Sequence, residues 1–230
     1  NVPLAFDLAN CVLGSFDKAR LVELFQELGF KSLLPRIPEL EQKLELEVVA
    51  QPAKQSKGKK VKVEYQCVET EADLAELAAK VARTTTLALD TETASLDPLG
   101  GELVGVSVSW KPGTASYVAV SPKLKKSKSW AAFAAALTDP KRKLVGHNLK
   151  YDLKVLAHAG LGLPGISFDT LVAAYLLRAG ERSIDLKSLA FQELGVEMTH
   201  IESLIGKSGK GQKSMAEVPV AEVAPYACAD

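Results

Sequence analysis

Cysteine is scarce in this chain and odd in number. Cys11, Cys67 and Cys228 are the three among 230 residues, and no two of them form a C-x-x-C pair. An odd, scattered set argues against a disulfide framework or a cysteine zinc site and fits a reducing compartment. Histidine is as thin: His147, His158 and His200 are too far apart to build a zinc site among themselves. No apolar run approaches the roughly 20 residues of a membrane span, and Asn1 opens no signal-peptide pattern. Net charge is absent too, because 28 basic residues cancel 28 acidic ones. No global field therefore attracts polyanions, and any steering must be local. No internal repeat is present. These absences leave an expectation of a cytoplasmic, soluble chain with no membrane contact, in which Asn1 reads as a cut inside a longer protein; a monomer is expected.

What is present is enough apolar material for a core, 47% of residues, at a length that fits one full domain plus an appendage. Lysines cluster at 54–62, 123–128, 141–143 and 207–213, which in the first instance reads as solvated loops. Residues 1–44 carry one amphipathic helical signal: Leu21, Leu24, Phe25 and Leu28 recur at helical spacing, with Gly29 placed to end the helix. One such helix cannot bury its own face, so it must dock elsewhere. Residues 45–60 read as a basic flexible linker.

From 61 onward the pattern becomes mixed. Strands are predicted at 61–68, 85–92, 103–110, 115–120 and 143–146. Helices are predicted at 72–82 (capped by Thr70), 130–137, 149–159, 170–177 and 186–194, with a last helix running through Tyr226. Pro225 predicts that this last helix begins a turn or less before Tyr226. Antiparallel strands followed by alternating helices give an α/β sheet flanked by helices.

Acidic residues sit within apolar segments at telling places, where they are costly unless something pairs with them. Asp90 and Glu92 lie in Leu89-Asp90-Thr91-Glu92-Thr93, and strand alternation points both the same way. Two neighbouring carboxylates repel, which favours a shared proton or a divalent cation. Asp152, in Asn148-Leu149-Lys150-Tyr151-Asp152, falls in the first turns of a helix after a strand. Tyr226 and Asp230 are four apart, hence on one helical face. Each motif alone is common by chance. Together, in this order and on these elements, they give the acids and the phenol that a two-metal phosphodiesterase needs.

The combination resembles the DEDD superfamily of 3′–5′ exonucleases, tyrosine subclass, with a ribonuclease H-like mixed sheet. More narrowly, Asp90-Thr91-Glu92-Thr93 with Ser95-Leu96-Asp97, then Gly146-His147-Asn148-Leu149-Lys150-Tyr151-Asp152, Phe168-Asp169-Thr170 and Tyr226-Ala227-x-x-Asp230, is similar to the proofreading domain of bacterial family A DNA polymerase I. The likeness covers about 61–230. Val2-Pro3-Leu4 and the run from Leu24 to Leu34 look like the tail of that polymerase's 5′-nuclease region. The histidine-using subclass would carry His at 225, where this chain has Pro225.

The resemblance implies roles. Asp90, Glu92 and Asp230 would ligate one metal, with Asp90 bridging to a second held through Asp152, the ions being Mg²⁺ with Mn²⁺ as substitute. Tyr226 with Glu92 would orient the attacking water. Thr91, Leu96, Asn148, Tyr151 and Met215 would contact substrate, Leu96 as an apolar wedge between the last bases. Met215 stands where relatives place a base-stacking phenylalanine. The implied partners are a single-stranded DNA 3′ end and a polymerase domain beyond Asp230, with the chain acting around the bacterial nucleoid. Two alternatives stay open: a catalytically silent nucleic-acid-binding or spacer module, and a free-standing ribonuclease of the same superfamily. Gly206-Lys207-Ser208 is no P-loop, since Ile201 stands where that motif needs its first glycine.

Overall fold

Alternating apolar side chains, short turns and well-capped helices build the layers that the periodicity implies. The computed structural model describes residues 16–30, 33–38, 63–178, 183–209 and 211–230. The predicted linker at 45–60, the start of the first predicted strand, Cys11 and Val2-Pro3-Leu4 lie outside the described residues.

Among the described residues, six strands form one sheet: β1 (Glu64–Val68), β2 (Thr86–Thr93), β3 (Leu103–Lys111), β4 (Thr114–Ala119), β5 (Lys143–Gly146) and β6 (Ile166–Asp169). Their order is β1-β4-β3-β2-β5-β6. The β2–β3 and β3–β4 pairs are antiparallel, while β1 on β4, β5 on β2 and β6 on β5 are parallel. This is the ribonuclease H-like mixed sheet that the motifs imply.

The two faces of the sheet are covered differently, and the alternation within each strand decides which residues go where. Leu87 and Leu89 of β2, Val106 and Val108 of β3 and Val118 of β4 enter the larger core. There they meet α2 (Glu71–Ala82), α4 (Lys128–Leu137) and α5 (Leu149–His158). Helix α2 starts where the Thr70 hydroxyl accepts from the Asp73 amide at 3.2 Å, and acids in its first turn complement the helix dipole. Its buried residues Leu74, Leu77, Ala78 and Val81 follow the one-face spacing and pack on α4. Each fully buried leucine there contributes about 1.5–3 kcal/mol relative to exposure. Between them in sequence lies the one-turn helix α3 (Pro122–Lys125).

The alternate residues Ala115 and Tyr117 of β4 belong to a second core with Met215, Val218, Val223, Ala224, Tyr226, Ala227 and Cys228. The last five lie on α9 (Val220–Ala229), which packs on β4, β1 and β3. This helix begins at Val220, earlier than Pro225 led us to predict. Pro225 sits inside it and denies Ala221 its helical amide partner, a substitution worth about 3 kcal/mol in a free helix. Burial of the apolar face of α9 offsets that cost.

Contacts divide the described residues into two compact units: those before position 60 together with Ser188–Val196, and the remainder. In the smaller unit, α1 (Lys18–Glu27) is capped by Asp17 and stops at Gly29, whose φ of +70° favours glycine. Val22, Leu34 and Ile37 bury themselves with Phe191 of α7 (Leu186–Leu194), and Gln26 Nε2 donates to the Gln192 carbonyl at 2.8 Å. The apolar stripe of α1 thus finds its partner in a helix more than 150 positions away. The short elements β6, α3, the one-turn helix α8 (Glu202–Ile205) and the single 3-10 turns Leu34–Arg36 and Met215–Glu217 are not announced by the sequence pattern. Helix α6 (Thr170–Leu177) follows β6 directly. No described helix is long and apolar enough to cross a membrane.

Candidate active site

Strand β2 delivers two acids. In its register Asp90 faces Ser107 and Glu92 faces Gly105, so both carboxylates lie on the α9 face, and a register shift follows between Glu92 and Thr93. Gly105 is required there. A Cβ on it would collide with the ring of Tyr117 on β4, so the aromatic ring lies where a side chain at 105 would be.

Helix α9 delivers Tyr226 and Asp230, one turn apart on one face. Carboxylate oxygens of Asp90, Glu92 and Asp230 all lie within 4.8 Å of one another. Asp152 comes from the first turn of α5, only 2% exposed, and accepts a 2.6 Å hydrogen bond from Thr91 Oγ1. Thr91 points to the opposite side of the strand from its acidic neighbours and therefore reaches the helix that carries Asp152.

These carboxylates hold one another's protons. Burial, then repulsion from Asp152, Glu92 and Asp230, pushes Asp90 well above the usual carboxylate range. Burial and Asp230 push Glu92 up to about 8, against the opposing pull of Lys187. Burial raises Asp152 to about 6 despite the Thr91 hydrogen bond. Asp230 is raised by burial and held back by Lys187 and by a hydrogen bond from the Tyr226 hydroxyl. Burial and the adjacent Asp230 raise the Tyr226 phenol, which keeps its proton. Three or more acids that resist ionisation while converging within a few ångströms make a hard-oxygen donor set that suits a divalent cation. The residues present fit such ions.

The start of α5 is held by an unforeseen group. Asp169 accepts from the Asn148 and Leu149 amides, both at 2.9 Å, and from Leu171 at the start of α6, also at 2.9 Å. One carboxylate thus caps two helices, and Asn148 adopts a left-handed conformation (φ 60°) to turn the chain from β5 into α5. Its own side chain makes no cap. Thr170 Oγ1 donates to the Gly146 carbonyl at 3.1 Å and meets His147 Nδ1 at 2.9 Å.

The predicted substrate residues scatter in exposure. Leu96 is 90% exposed. Tyr151 is tied to the same loop through Thr93 Oγ1 at 2.9 Å and the Ser95 carbonyl at 3.3 Å. Met215, by contrast, is 4% exposed and packed in the second core, leaving little surface for a base. A methionine fills irregular space between a helix and a sheet well, and that is where it sits. Its short 3-10 turn is held by Ser214, whose hydroxyl donates to the Ala94 carbonyl at 2.9 Å.

Two residues at the site carried no role in the sequence reading. Asp169 lies in Phe168-Asp169-Thr170, to which the resemblance assigns no role. Lys187, at the start of α7, gave no signal at all: its Nζ donates to the Thr199 carbonyl (2.6 Å), Tyr226 Oη (3.2 Å) and Asp230 Oδ1 (3.3 Å).

A mixed sheet with convergent acids on β2, α5 and a C-terminal helix defines a nuclease-like site. The sequence profile of the 3′–5′ exonuclease family matches residues 65–230, and the chain belongs to that family. It is similar over its whole length to DNA polymerase I of Chloroflexus aurantiacus, at 34% identity over 258 residues, covering 100% of this chain and 27% of that protein. DNA polymerase I of Pseudomonas aeruginosa is 30% identical over 243 residues, covering 100% and 26%. The chain spans about a quarter of the length of these relatives. Among solved structures, Brucella melitensis NrnC with bound Mg²⁺ superposes with a TM-score of 0.54 at 25% identity, over 73% of this chain and 74% of that one. Escherichia coli RNase D, an exoribonuclease involved in structured RNA processing, shares the fold, with a TM-score of 0.55 at 23% identity over 73% and 41%.

Proposed function

We propose that this chain is a metal-dependent exonuclease that removes 5′-mononucleotides from single-stranded DNA 3′ ends and edits for a polymerase domain that follows it in the parent protein. The observation that carries the reading is the convergence of Asp90, Glu92 and Asp230 oxygens within 4.8 Å on two separate elements. Whole-length similarity to DNA polymerase I supports DNA as substrate and a polymerase as covalent partner. On this reading residues 1–44 are the tail of a 5′-nuclease region, 45–60 a linker and 61–230 the exonuclease domain, acting as a monomer in the cytoplasm.

Asp90, Glu92 and Asp230 would hold one divalent ion and Asp152, with Asp90, a second, Mg²⁺ in the cell and Mn²⁺ as substitute. When bound, such ions lower the pKa of water and stabilise charge building on the leaving 3′ oxygen. The chain's own residues do the rest. Tyr226, protonated and packed on β4, donates toward the attacking water and fixes its line of approach together with Glu92. Thr91 orients Asp152. Leu96, exposed beside the site, wedges between the last two bases, and Tyr151, pinned to the same loop, lies against the terminal nucleotide beside Asn148. The burial of Met215 leaves it a packing role rather than a stacking one.

The test is digestion of a 5′-labelled single-stranded DNA oligonucleotide with Mg²⁺, with and without EDTA, beside Asp90→Ala. A ladder shortening from the 3′ end, lost on chelation and in the variant, is expected. An RNA oligonucleotide of the same sequence runs alongside, because structural neighbours include an exoribonuclease. Preferential cleavage of RNA would favour the free-standing ribonuclease reading, and no cleavage of either would favour a silent module.

A further inference from the structure

Lys187 is not a loose surface lysine. Its ammonium has three protons and all three are engaged: one on the Thr199 carbonyl at 2.6 Å, one on Tyr226 Oη at 3.2 Å and one on Asp230 Oδ1 at 3.3 Å. The same nitrogen stands 4.4 Å from the centre of the Tyr226 ring, within cation–π range. Only 19% of its side chain and 13% of that of Asp230 meets solvent. The backbone carbonyl anchors the amine from one side. The other two bonds reach the phenol and the acid that α9 presents to the carboxylate cluster.

Two consequences follow from this geometry. The phenol oxygen of Tyr226 accepts from Lys187, so its own proton is directed away from the ammonium and toward the Asp230 carboxylate, with which it is hydrogen-bonded. A fixed positive charge also sits on Asp230, whose oxygens lie within 4.8 Å of those of Asp90 and Glu92. Any divalent ion drawn to those three carboxylates must share Asp230 with a cation already there.

We propose that Lys187 is a positioning residue of this site: it sets the direction of the Tyr226 hydroxyl and competes with the metal for Asp230. The proposal rests on the exonuclease reading for its kinetic half and on geometry alone for its metal half. It ascribes to Lys187 opposite effects on the two quantities. Loss of the charge frees Asp230 and tightens metal binding, whereas loss of the ammonium lets the phenol drift and slows hydrolysis. A merely structural lysine would weaken both together.

The experiment uses the 230-residue chain carrying Lys187→Met, Lys187→Gln and Lys187→Arg. Lys187→Gln keeps a donor for the Thr199 carbonyl without the charge and serves if Lys187→Met folds poorly. Mn²⁺ binding is followed by the electron paramagnetic resonance signal of the free ion, with no DNA present. The uncharged variants are expected to bind Mn²⁺ about tenfold more tightly, a typical coupling between neighbouring sites, while Lys187→Arg stays near wild type. On single-stranded DNA the uncharged variants are expected to lose about 100-fold in kcat, the scale of a misplaced catalytic group, with KM within about twofold. In a Tyr226→Phe background the same Lys187 substitution is expected to add little further loss. Unchanged or weaker Mn²⁺ affinity in Lys187→Gln overturns the competition. A full multiplicative loss on top of Tyr226→Phe overturns the action through the phenol. Failure of the wild-type chain to cut DNA would sink the exonuclease reading, yet the Mn²⁺ titration would still judge Lys187.

Discussion

A folded chain that keeps protons on buried carboxylates must become less stable as those protons are stripped away, and Glu92 shows where that loss falls. Glu92 is 7% exposed and burial with Asp230 raises it from 4.5 to about 8. The unfolded chain gives up that proton near its ordinary value, the folded chain only near 8. Between the two, the native state binds more protons, so stability is fully present below pH 4.5 and falls as pH climbs toward 8. From pH 6.5 to 8 this amounts to about 2 kcal/mol at 1.36 kcal/mol per unit, or about 4–8 °C in Tm for a chain of this size. Asp90 and Asp230, also raised by burial, act with the same sign and add to this fall, while the remaining shifted groups stay out of that window. Asp152, at about 6, completes most of its own loss below it. His147, lowered by burial, acts with opposite sign below 6.5, and Cys228, raised to about 12, acts above 9. The assay is thermal denaturation in EDTA at pH 6.5, 7, 7.5 and 8, beside Glu92→Gln. The wild-type Tm is expected to fall across the series and the variant's to fall less. Added Mg²⁺ is expected to raise Tm more at pH 8 than at 6.5, because it binds deprotonated carboxylates of the native state. A metal-free Tm that is flat or rises from 6.5 to 8 would refute the reasoning.

Gly105→Ala is expected to cost about 1–3 kcal/mol by overpacking against the Tyr117 ring, read as a lower Tm; an unchanged Tm would mean that the ring moves freely. Asp169→Ala removes the acceptor for four helix-start amides, at about 1–2 kcal/mol. Hydrogen exchange at Asn148, Leu149 and Leu171 is expected to speed up while the amides of α2 stay protected. Met215→Phe is expected to lower Tm without tightening binding to single-stranded oligo(dT), since position 215 is enclosed. A clear gain in affinity would return that position to the DNA strand.

Much of this arrangement was legible because it is local. Period-two alternation placed β2 and put Asp90 and Glu92 on one face, and Thr70 announced the start of α2 three residues ahead of its bond to Asp73. The four-residue spacing of Tyr226 and Asp230 fixed their common face once a helix was granted. What escaped was long-range or rested on offsetting effects. Pro225 argues locally for a short helix, and only packing of α9 on the sheet extends it back to Val220. Strand β6 has four residues, three of them exposed, too few for a period to register. Lys187 lies 39 positions from Tyr226, and one lysine among 28 basic residues carries no mark of the contact it will make. The burial of Met215 likewise depends on where α9 lands.

The ring of Tyr117 lying where residue 105 has no side chain has an evolutionary corollary. The two positions share a single allotment of space beneath α9, so neither is free to vary alone. In an alignment of relatives, a residue larger than glycine at 105 should travel with a smaller one at 117, and this coupling should be stronger than that of either position with its chain neighbours. Because Gly105 pairs with Glu92 across the strands, drift that broke the exchange would push on an acid of the site, which gives selection a reason to keep the pair in step.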